Sequence, residues 1–118
     1  MVFLSLDLAY IQSMHDPIII LTTASSNKEA EIIGNKLIDK KLAACVNIIP
    51  NIKSIYRWKG KINEDSEYLL IIKTVKRVEE DVFENICKLH SYDTPEMISI
   101  PVTGGEKSYL NWLSKSVA

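Results

Sequence analysis

The chain has 118 residues, with 14 Lys and Arg against 15 Asp and Glu, a formal net charge of -1. That is the length of one domain; it excludes a two-domain enzyme with an interdomain cleft and any barrel of roughly 250 residues. At 47% apolar and 25% charged residues, the composition suits a globular domain with a core rather than a disordered chain.

No basic stripe marks a nucleic-acid binder, and none is expected as a partner. Two cysteines, Cys45 and Cys87, are too few for a disulfide-stapled secreted scaffold. No apolar run approaches the ~18–20 residues of a membrane span. These observations predict no direct membrane insertion and a reducing, cytoplasmic location. Residues 1–16 carry Val2, Phe3, Leu4, Leu6, Leu8 and Ile11, but Asp7 interrupts the run and no basic flank precedes it, unlike a signal peptide. They read as a weakly ordered N-terminal extension, with Met14 as an alternative start and the folded domain over 17–118.

Pro17 to Thr23 is a short β-branched run without polar alternation, the pattern of a strand buried on both faces. Ser26-Asn27-Lys28-Glu29 fits a capping box. The helix it opens carries Ala30, Ile33, Leu37 and Ile38 on one stripe and ends near Lys40-Lys41, where cations suit the negative end of the dipole. Ala43 to Ile49 is a second strand. Pro50-Asn51 interrupts it, since proline has no ladder donor and marks a bulge or bend. The strand resumes through Ile52, Ile55, Tyr56 and Trp58, turns at Lys59-Gly60-Lys61, and returns over Ile62 to Thr74. A second helix opens on Glu79, Glu80 and Asp81, buries Val78, Val82, Ile86 and Leu89, and stops before Pro95. Met97 to Val102 is a fourth strand, and Glu106 to Val117 a terminal helix bearing Tyr109, Leu110, Trp112 and Leu113. The order βαββαβ plus a helix predicts an α+β, ferredoxin-like antiparallel sheet with an extended β2–β3 hairpin.

The polar chemistry concentrates in Cys87 to Glu96. Cys87 and His90 are three apart, so on a persisting helix they share a face, and Glu96 lies just beyond Pro95. A small core cysteine and a helix-capping histidine explain the same residues without a metal, and two ligands fall short of a closed site. Lys73 follows four apolar residues and reads either as a pocket cation or as a snorkelling strand-end lysine. Tyr56 and Trp58, two apart on a strand, share a face and suit a ligand wall, a core or a subunit interface. Tyr109 and Trp112 share a helical face, which by default docks onto the sheet.

Ala43-Ala44-Cys45-Val46-Asn47-Ile48-Ile49-Pro50, Ser54-Ile55-Tyr56-Arg57-Trp58-Lys59-Gly60-Lys61-Ile62, Lys73-Thr74, His90-Ser91-Tyr92-Asp93-Thr94-Pro95-Glu96 and Tyr109-Leu110-Asn111-Trp112 resemble the CutA family, the divalent-cation tolerance proteins, over nearly the whole domain. The resemblance implies a ferredoxin-like homotrimer similar to PII proteins, with polar residues gathered at clefts between subunits. On this chain it carries Tyr56, Trp58, Lys73, Tyr92, Pro95 and Trp112 to the cleft, with His90, Glu96 and Cys87 as metal candidates. Ser91 and Asp93 depart from the family's proline and its Glu or Gln. Thr22 and Leu89 stand where some members place a further cysteine and histidine.

The leading reading is a non-enzymatic trimer for tolerance of divalent cations, copper among them, that binds metal at intersubunit clefts and needs no organic cofactor. The alternative is a PII-like signalling module taking a small anionic ligand, with Lys73 as its charge partner. A third reading is acid–base catalysis by His90 and Glu96.

Overall fold

The structure, a computed structural model, describes residues 13–118 together with Leu8. The proposed extension therefore falls mostly outside the described residues. Strand β1 spans Pro17–Ala24, helix α1 Asn27–Asp39, strands β2 and β3 Cys45–Trp58 and Lys61–Val75, helix α2 Glu79–Leu89, strand β4 Ile98–Pro101 and helix α3 Lys107–Lys115. A 3-10 turn, Lys76–Val78, leads into α2. The strands form one antiparallel sheet in the order β2-β3-β1-β4, the arrangement expected of the βαββαβ order.

Alternation along the strands decides which face is covered. Ile18, Ile20 and Thr22 of β1 pair with Thr74, Ile72 and Leu70 of β3. All six are buried, and α1 and α2 pack over them with Ala30, Ile33, Leu37, Val82 and Ile86. Each large side chain enclosed here contributes about 1.5–3 kcal/mol of burial. Gly34 lets α1 approach the sheet closely, since a Cβ there would lie 3.3 Å from a methyl of Val46. Ile38, expected on the buried stripe, is exposed instead. The intervening residues, Ile19, Leu21, Ile71 and Lys73, face the other way and are only half-buried.

The β2–β3 hairpin turns at Lys59 and Gly60, both with positive φ (50° and 75°), the backbone that matches the right-handed twist of paired strands. β1 pairs with β3 only from Tyr68 to Val75. Beyond that point the hairpin continues as a two-stranded arm. At Pro50-Asn51 the ladder gains one residue on β2, because Ile49 pairs with Leu69 while Ile52 pairs with Glu67. Asn51 absorbs the bulge at φ 57°. The extra residue inverts the alternation of β2: Ser54, Tyr56 and Trp58 now share a face with Cys45, Asn47 and Ile49, and lie on the side that carries Asp65 and Glu67 of β3.

Candidate functional site

The bulge places Tyr56 and Trp58 along one wall of an open groove of about 650 Å³ at the base of the arm. Thr23, Ser54, Glu67, Tyr92, Asp93, Thr94 and Glu96 complete the lining that carries polar chemistry. Every carboxylate in that set comes from β3 or from the loop after α2. The loop is held against the sheet by a short chain of hydrogen bonds centred on His90.

Helix α2 ends at Leu89, and His90 leaves it in an extended conformation (φ -83°, ψ 143°). Its imidazole is fully enclosed. The Tyr92 backbone N–H donates to His90 Nδ1 at 3.0 Å. Nδ1 therefore bears no proton, and Nε2–H donates to the Thr23 carbonyl at 2.6 Å. The expected helix-capping ring is thus a bridge to β1. The Tyr92 ring packs against His90 with centroids 4.7 Å apart. Its hydroxyl donates to Glu67 Oε2 at 3.1 Å.

Glu29 secures the same loop from α1. The Ser26 hydroxyl accepts from the Glu29 N–H, as a capping box requires. The Glu29 carboxylate reaches further than the motif implies: Oε1 accepts from Ser25 N–H at 3.0 Å and Oε2 from Ser91 N–H at 2.9 Å. Burial alone would raise this carboxyl, but bonds from Ser91 and Ser25, and the neighbouring His90, hold it below the usual carboxylate range.

The groove is electronegative. The Tyr56 hydroxyl donates to the Asp65 carboxylate. That bond, assisted by the charges of Asp65 and Glu67, raises its pKa. Tyr92 is pushed up to about 12, first by burial and then by its bond to Glu67 and the charges around it. Both phenols stay neutral because an adjacent phenolate would face carboxylates.

The structure does not gather the predicted metal residues into a chelate. Cys87 is exposed on α2. Both ring nitrogens of His90 are engaged, so neither offers a lone pair without breaking a bond that holds the loop. Glu96 lines the groove, while His90 is enclosed behind it. Among the described residues, no three His, Cys, Asp or Glu side chains group to hold a metal ion. The α2 terminus is the physical reason: the helical spacing that would align Cys87 and His90 ends at Leu89.

Of the expected cleft residues, Tyr56, Trp58 and Tyr92 line the groove. Pro95 sits between the lining residues Thr94 and Glu96. Lys73 lies elsewhere, its ammonium 5.8 Å from the centroid of Tyr109. Trp112 packs against Tyr109, at 5.5 Å between ring centroids, and the two residues are 48% and 41% exposed, with Tyr109 the one that reaches Lys73 of the sheet. Glu67 is the residue that sequence reasoning missed. Its signal was a carboxylate immediately before the apolar run Tyr68-Leu69-Leu70-Ile71-Ile72, the last of the acidic cluster Glu64, Asp65 and Glu67.

The sequence matches the CutA1 divalent ion tolerance protein family over residues 18–116. This chain belongs to that family. It is 44% identical over 99 residues to Protein CutA, chloroplastic, of Arabidopsis thaliana, covering 84% of this chain and 54% of the relative. It is 40% identical over 98 residues to the divalent-cation tolerance protein CutA of Thermus thermophilus, covering 83% and 95%. A solved structure of the periplasmic divalent cation tolerance protein CutA from Archaeoglobus fulgidus superposes with a TM-score of 0.84 at 42% identity, covering 86% of this chain and 99% of that one. The chain thus spans just over half the length of the plant relatives it matches. The chloroplastic and periplasmic relatives overturn the cytoplasmic expectation. Its error is physical: near-neutral charge and few cysteines are compatible with several compartments, because this fold needs no disulfide to hold its core.

Proposed function

We propose that this chain is a divalent-cation tolerance protein that acts by binding rather than catalysis, as a homotrimer whose grooves collect the cation. The family's name supports the general role. The observation that carries the site is the groove itself, where Glu67, Asp93 and Glu96 line one concavity and Lys73 is absent from it. A negative groove attracts a cation and repels the small anion of a PII-like module.

The side-chain donors are carboxylate and hydroxyl oxygens, which suit hard divalent ions better than copper. The copper expectation drew on His90, Glu96 and Cys87, and of these only Glu96 lines the groove. One copy does not close a coordination sphere, so ligands from neighbouring copies complete it in this reading. The half-buried apolar sheet face and the arm supply the surfaces for assembly.

Calorimetric titration with Mn²⁺ and Cu²⁺ tests this. Wild type should bind Mn²⁺ with saturation, and Glu67→Gln should bind it at least tenfold more weakly. Unchanged Mn²⁺ binding in Glu67→Gln, or Cu²⁺ binding abolished by His90→Ala and indifferent to Glu67→Gln, would overturn the groove assignment.

A further inference from the structure

We propose that the groove also takes an organic cation, a flexible aliphatic polyamine, with Glu67 as its buried charge partner and the rings of Tyr56, Trp58 and Tyr92 as its walls. The inference rests on the groove being a cation site, and it names a ligand class that the tolerance role does not.

Size is the first argument. About 650 Å³ is roughly twenty times the ~30 Å³ share of one water, far more than a bare ion fills. The second is the wall. An aromatic face adds nothing to a hard ion that demands oxygen ligands, but it attracts an ammonium through the ring quadrupole. The chain's own ammonium groups already sit so: Lys59 Nζ lies 6.0 Å from the Trp58 centroid. The third is the spread of charge. Glu67, Asp93 and Glu96 line the groove, yet no three such groups converge among the described residues. Dispersed carboxylates suit a ligand whose positive charges are spaced along a chain.

Glu67 supplies the anchor. It is only 6% exposed. Oε2 accepts from Tyr92, and among the described residues that is its one side-chain hydrogen bond, leaving Oε1 for a ligand N–H. Oε1 is not among the buried oxygens left without a partner, so it opens to the groove, where a charged donor makes a stronger bond than a neutral one. The same burial makes Glu67→Gln a clean probe, since the amide oxygen can still accept from Tyr92 while the charge is lost.

The test is calorimetric titration of the full chain with spermidine at low ionic strength, beside a Mn²⁺ titration of the same sample. Wild type should bind spermidine saturably. Glu67→Gln should weaken it at least tenfold, and Tyr56→Leu, at an exposed position that the fold does not need, about threefold to tenfold. Spermidine competing with Mn²⁺ would support one shared groove. Mn²⁺ binding without spermidine binding overturns this inference and spares the cation site; binding of neither overturns both. Spermidine binding of equal strength in wild type and Glu67→Gln marks general attraction to an acidic surface and also overturns it.

Discussion

Glu29 holds two distant parts of the chain with one carboxylate. It joins the start of α1 to Ser91, 62 residues away. Because its folded pKa is depressed, its charge contributes stability that is present above the unfolded carboxylate value of ~4.3 and is lost as pH falls through the folded value. Glu29→Gln should therefore lower the free energy of unfolding by about 1–2 kcal/mol at pH 7, as expected for losing hydrogen bonds to a charged group. Urea denaturation at pH 7 and pH 3 checks this: the gap between variant and wild type should narrow as pH falls, and a gap of equal size at both would show that charge is not the cause. The Ser26-x-x-Glu29 pattern made the cap readable from sequence, but not the carboxylate's destination, because Ser91 is fixed by where α2 ends. His90 has the same history. Its spacing from Cys87 suggested a chelate, whereas its role follows from the Thr23 carbonyl and Tyr92 N–H that it meets.

At the scale of elements, the order of strands and helices followed from periodicity alone, since β-branched runs and 3.6-residue stripes alternate cleanly along the chain. The site did not, because it depends on one residue of register. Pro50 announced an irregularity in β2, but a proline can mark a bend, an edge or a bulge, and only a bulge changes which side chains share a face. Here the bulge sets Tyr56 and Trp58 beside Asp65 and Glu67. Asn51 pays for it with a left-handed backbone, which asparagine and glycine tolerate and β-branched residues do not. Asn51→Gly should stay within about 0.5 kcal/mol of wild type, while Asn51→Val should cost about 1–3 kcal/mol. Urea midpoints at matched slopes measure both, and equal midpoints would show that the bulge carries no conformational demand.

For the whole molecule, the arm and the uncovered sheet face set the same requirement. A two-stranded ribbon beyond the sheet is marginal in water on its own, and Trp58 on it is 59% exposed. That exposure removes Trp58 from the chain's own core, so its truncation should act on assembly before it acts on the fold. On the sheet, Ile98 and Ile100 of β4 are 51% and 43% exposed and pair with Leu21 and Ile19, which face the same way. Contiguous apolar surface of this kind marks an interface. In the proposed trimer it would be enclosed, and desolvating a lysine there would oppose association strongly. The double variant Ile98→Lys with Ile100→Lys should therefore elute as a 13.4 kDa monomer under light scattering at micromolar concentration. Wild type should scatter as three copies, and the far-ultraviolet circular dichroism of the two should be alike, because the helix-covered face carries the core. A variant that remains trimeric would place the interface elsewhere, on the arm alone, and Trp58→Ala in the same experiment would then be the substitution that releases the monomer.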